Sequence, residues 1–101
     1  MSDEITHAIL ETMIESICID EERFEKVSHS EDFVSNTNGV MVLDSIAMRL
    51  QVIGEQVKKM ENRNPELTRM HPEIEWKNIM KLRGLISHHY DSIDHEIVFD
   101  I

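Results

Sequence analysis

Arg83, His88 and Tyr90 are the residues of this chain whose types and spacing could do chemistry, and they fall within one run, Arg-Gly-Leu-Ile-Ser-His-His-Tyr. Arginine offers a planar, permanently charged fork that matches phosphate oxygens. Histidine titrates near neutral pH, and a tyrosine hydroxyl can accept a transferred group. Together they suggest phosphate chemistry. The same residues have an ordinary reading as a surface helix charge, a helix-end cation and a packing residue. On an undistorted helix Arg83 and Tyr90 are nearly eclipsed, while His88 lies roughly 140° round from Arg83. One straight helix cannot aim all three together. Either the helix ends or bends between Gly84 and Tyr90, or a second copy of the chain completes the site.

The elements that must position this run are helical by pattern. Ser2 or Asp3 can cap a first helix, in which Ile5, Ile9, Met13, Ile14 and Ile17 recur at helical spacing, with Glu11 and Glu15 outside the stripe. That helix is expected to run to about Cys18. Residues 20–25 keep a polar helical character, Phe24 starts a short packing element, and Ser28-His29-Ser30 makes a bend. A long helix is predicted from about Ser35 to Asn62, where Val40, Leu43, Ile46, Leu50, Ile53, Val57 and Met60 step by three or four. Asn64-Pro65 ends it, because proline disfavours helical geometry in the residue before it. Residues 66–75 read as a connector with about one helical turn. A third long helix starts near Trp76, with Ile79, Met80, Leu82 and Ile86 on its apolar side and Lys77, Lys81 and Arg83 on its cationic one. A final helix starting between Asp91 and Asp94 carries Ile97, Val98 and Phe99. No strand alternation, glycine-rich phosphate loop or internal repeat is evident. The pattern predicts a single all-α domain over residues 1–101, an antiparallel bundle of four to five helices.

Composition is consistent with that class. Of the 101 residues 41% are hydrophobic, but only five are aromatic, so the core falls to Ile, Leu, Val and seven Met. Met60, Met70 and Met80 read as gap fillers in the core or an interface. The single Cys18 has no intrachain partner, and no charged-then-apolar leader or long apolar span is present, so a soluble cytoplasmic protein without membrane contact is expected. The net charge of −10 argues against a general nucleic-acid binder. The charge is uneven, however. Residues 1–32 hold ten acids and two bases, whereas residues 33–90 hold six acids against eight bases, leaving room for a local basic face.

The order Arg-x4-His-x-Tyr resembles the signature of HEPN-domain ribonucleases, and specifically of the HepT toxins that pair with minimal nucleotidyltransferase antitoxins. The resemblance extends along the chain. Residues 49–55, Arg-Leu-Gln-Val-Ile-Gly-Glu, look like the family's central helix with its Ile-Gly-Glu core. Residues 71–76, His-Pro-Glu-Ile-Glu-Trp, resemble its Pro-x-Ile-Pro-Trp connector, and Asp94 sits where the family places an acid after the tyrosine. Three departures stand out: Gly84 follows Arg83 where many members carry a polar residue, Glu75 replaces the proline before Trp76, and the sequence stops at Ile101, before most of the family's last helix.

The resemblance implies a homodimer whose signature helices meet in a shared groove, and a toxin of a type VII-like toxin-antitoxin system that cleaves RNA, transfer RNA among the candidates, without a metal or other cofactor. Arg83 and His88 would be catalytic, the histidine moving a proton and the arginine stabilising charge on the phosphate. Tyr90 would accept AMP from the partner nucleotidyltransferase, which blocks the toxin. Glu55 would support the site by orienting a cation, although an ion pair with Lys59 explains it equally well. The alternative is a noncatalytic helical partner, or substrate-binding subunit, of a nucleotidyltransferase. A metal site from His88, Asp91 and His95 is sterically feasible on one helix face, but a helix-start acid with two solvated histidines explains those residues more simply.

Overall fold

The computed structural model describes residues 3–87 and 94–101. Among them every regular element is helical: α1 (Asp3–Phe24), a 3-10 turn (Ser30–Phe33), α2 (Thr37–Arg63), α3 (Pro65–Met70), α4 (Trp76–Ser87) and α5 (His95–Asp100). No described helix is long and apolar enough to cross a membrane.

Helix α2 is the spine. Asn36 caps it in extended geometry, its Oδ1 accepting from the Gly39 amide at 2.8 Å. Gly39 is needed there because a Cβ would run into the Asp32 carbonyl, where the 3-10 turn crosses the start of the helix. The turn itself is tied by Asp32, whose carboxylate accepts from the Ser28 and His29 amides at 2.9 and 3.0 Å. At the far end Asn64 leaves helical geometry before Pro65, which becomes the first residue of α3.

Packing on α2 is antiparallel on two sides. Against α1, Arg23 reaches Ser45 and Ser16 meets Arg49, while Ile9 and Met13 join Val57 and Met60. Against α4, Gly54 faces Arg83, and Met60 shares its cluster with Trp76 and Met80. One core cluster gathers Phe33, Leu43, Ile46, Leu50, Ile53 and Val98. Phe24, Phe33 and Phe99 close it as a ring triad, with centroids 5.3–6.5 Å apart. The second cluster, at the other end of α2, is Ile9, Met13, Val57 and Met60.

Two expectations need correction. The first helix does not stop near Cys18 but continues to Phe24, because Asp20 turns inward and Phe24 docks on the other two phenylalanines. Its buried stripe also differs from the apolar one. Thr6, Ile9, Met13, Ser16 and Asp20 are buried, spaced by three and four, while Ile5, Ile14 and Ile17 are 40–60% exposed. Of the three spaced methionines, Met60 is fully buried and Met80 packs at the core edge, whereas Met70 stands exposed.

Candidate functional site

The site is built from the crossing of α2 and α4. Trp76 fixes where α4 starts: its indole N–H donates to the His71 carbonyl at 2.9 Å while the ring packs against the second cluster. From that anchor the helix rises about 1.5 Å per residue, so Arg83 stands roughly 10 Å further along. There Arg83 Nη1 meets Glu55 Oε2 at 3.1 Å. Sequence left Glu55 two partners, a site cation or Lys59, and the structure pairs it with Arg83.

Both side chains of the pair are 40% exposed. That exposure leaves the guanidinium reachable by an anion while the carboxylate holds its orientation, which a fully solvated arginine would lack. A charge-assisted pair of this kind restricts the rotamers of a long side chain more than it stabilises the fold. Exposed Lys77 and Lys81 on α4 and Lys59 and Arg63 on α2 add positive charge to the two helices that form the crossing. An arginine held in place with part of its side chain exposed can bind a phosphoryl group and stabilise charge developing on it.

His88 and Tyr90 lie outside the described residues, as do His89 and Asp91. The structure therefore brings together Arg83 and Glu55 from the sequence-derived set. Of the suggested metal trio only His95 is described. Its Nε2 stands 3.8 Å from Glu31 Oε1, and with Glu96 these residues form the one group among the described residues whose ligand atoms cluster, within 4.8 Å of one another. Two of the three, Glu31 and Glu96, are exposed carboxylates, which commonly cluster without an ion. Periodicity could not have found this group, since Glu31 and His95 are far apart in sequence.

Asp20 is the residue that sequence reasoning missed. It is 8% exposed, and neither carboxylate oxygen has a hydrogen-bond partner. Burial raises its pKa to about 7 against the pull of Arg23 and Arg49, whose side chains donate instead to the Ser45 carbonyl and the Ser16 hydroxyl. Asp20 also borders an apolar cavity of about 250 Å³ lined by Ile17, Phe24, Leu50, Val98, Phe99 and Ile101. It lies on a different helix from the Arg83–Glu55 pair, and no described contact links them.

A relative from Methanocaldococcus jannaschii, "Putative RNase MJ0127", is 35% identical over 57 residues, which span 56% of this chain and 45% of that protein. The chain thus aligns with less than half the length of this relative. No solved structure matches. The sequence profile of the ribonuclease HepT-like family matches residues 13–101, which include both helices of the crossing, and the chain belongs to that family.

Proposed function

We propose that this protein is a metal-independent endoribonuclease whose reaction is supported by Arg83 and His88. The observation that carries the reading is the Arg83–Glu55 pair, a half-exposed guanidinium held in place, in a chain that belongs to a ribonuclease family. In the proposed reaction the 2′-hydroxyl of the substrate attacks the adjacent phosphorus. A bond forms from the 2′-oxygen to phosphorus, and the bond to the 5′-oxygen of the next nucleotide breaks, leaving a 2′,3′-cyclic phosphate. His88 removes the 2′-hydroxyl proton or protonates the leaving 5′-oxygen, water making the other transfer, and Arg83 stabilises the charge on the phosphoryl oxygens. Glu55 orients Arg83 and takes no proton.

The active form is a homodimer in this reading, which supplies the second signature helix that one straight helix cannot. Tyr90 is the acceptor for AMP transferred by a separate minimal nucleotidyltransferase. A bulky anion beside Arg83 fills the groove and occupies the phosphate-binding cation. The protein is then the toxin of a two-component system, with RNA as substrate and the nucleotidyltransferase as antitoxin.

The test is cleavage of a transfer RNA pool by purified protein in chelator, beside folded Arg83→Ala and His88→Ala variants. Wild type is expected to cut and to leave cyclic phosphate ends, with each variant at least 100-fold slower. Activity that requires a divalent ion would reject the mechanism. Intact RNA with unmodified dimeric protein would favour the noncatalytic partner instead.

A further inference from the structure

We propose that Gly54 is a positioning residue for Arg83, its missing side chain setting the depth at which α4 seats on α2. The inference rests on the reading of Arg83 as the phosphate-binding residue, and it concerns what holds that residue in place. A Cβ built on Gly54 would stand 2.9 Å from the Arg83 backbone nitrogen, 3.1 Å from the Ile79 carbonyl oxygen and 3.3 Å from the Arg83 Cβ. Two of these neighbours are backbone atoms. They cannot swing aside as a side-chain tip could, so any larger residue must push α4 outward.

Helix α2 cannot yield by rolling. Ile53, beside Gly54, is 6% exposed in one core cluster, and Val57, one turn on, is fully buried in the other. Glycine is also among the poorest residues for the interior of a 27-residue helix, so its place here reflects contact with α4 and not local preference. The next residue along is Glu55, which holds the Arg83 guanidinium at 3.1 Å. Gly54 and Glu55 therefore act on Arg83 together: the first admits its backbone, and the second fixes its charged end. Restoring ordinary contact at Gly54, at 3.4 Å or more, moves the Arg83 backbone by about half an ångström. Geometry at a reacting centre is sensitive to displacements of this size.

The experiment compares wild type, Gly54→Ala and Glu55→Gln by RNA cleavage, by the side-chain Nε–H resonance of Arg83 in nitrogen-15 NMR, and by circular dichroism. Gly54→Ala is expected to keep the helical spectrum and to move the Arg83 resonance toward its position in Glu55→Gln. Its kcat should fall about tenfold or more with KM changed much less. If wild type cuts no RNA, the nuclease reading fails, but the Arg83 resonance still decides the placement. An Arg83 resonance unchanged in Gly54→Ala overturns the proposal. Loss of the helical spectrum in Gly54→Ala overturns it as well, since Gly54 would then be needed by the whole bundle. In the folded variant the backbone amide shifts of residues 79–83 should change more than those of α1, and equal changes in both also overturn it.

Discussion

Asp20 is buried as an acid without a hydrogen-bond donor, and the consequence is a dependence of stability on pH that is opposite to the usual one for carboxylates. Burial raises its folded-state pKa from 3.8 to about 7. Between those values the folded protein holds a proton that the unfolded chain has released. The stability contributed by that proton is fully present below the unfolded value and is lost as pH rises through about 7. Asp32 works the other way. The Ser28 and His29 amides lower its pKa, so its contribution is present above the ordinary carboxylate value and is lost in acid. The two windows do not overlap, which makes the Asp20 effect separable. Asn at position 20 cannot ionise and keeps nearly the same volume. The stability of Asp20→Asn relative to wild type is expected to rise by about 1–3 kcal/mol between pH 5 and pH 8, because part of the loss has already occurred at pH 5 and the rest follows as pH passes about 7. Urea unfolding at the two pH values measures this; an equal difference at both would mean that Asp20 is not protonated in the folded protein.

At the scale of elements, the α4 start illustrates how a connector without regular structure aims a site. The Trp76 indole joins a partly buried ring to a hydrogen bond with His71, so α4 cannot slide along α2 without breaking both. Trp76→Phe removes the donor and part of the ring, and is expected to destabilise the protein by roughly 1–2 kcal/mol in urea unfolding. An unchanged midpoint would show that the connector does not hold the helix. The existence of α2 and α4 was legible in the sequence, since their apolar residues step by three and four without interruption. Helix α1 was less so. It carries isoleucines on more than one side, and periodicity chose Ile5, Ile14 and Ile17 over Thr6, Ser16 and Asp20. The buried side was set by contacts across to α2, such as Ser16 accepting from Arg49, which no local pattern encodes. The same holds at the site. Arg83 could be singled out by its residue type and neighbours, but the choice of Arg83 over Lys59 as the partner of Glu55 depends on where two distant helices cross, and the close approach at Gly54 decides that.

The whole molecule is long and thin, 48 × 24 × 23 Å, with a radius of gyration of 14.6 Å against about 13 Å for a compact domain of this size. Among the described residues, one side of its central helix carries exposed side chains. Met41 is 64% exposed and Met48 is 60% exposed, and Glu55 follows at the same seven-residue step. Residues seven apart drift only about 20° around a helix, so the methionines and the arginine-holding carboxylate share one face of α2. Exposed methionines are flexible and polarizable and suit an association surface. This supports the proposed homodimer and links it to the site, because a second copy seated on the methionines lies against Glu55 and Arg83. In a two-fold interface a substitution acts twice, once in each copy. Met48→Glu brings two new carboxylates toward the same seam while leaving the core clusters and the Arg83–Glu55 pair untouched. It is expected to weaken self-association at least tenfold and to lower RNA cleavage in parallel, with thermal unfolding of the monomer little changed. Sedimentation across a concentration series reads the first effect and the cleavage assay the second. Wild type that stays monomeric while cutting RNA would sink the shared-groove reading. A monomeric Met48→Glu protein with full activity would place every residue the reaction needs within one chain.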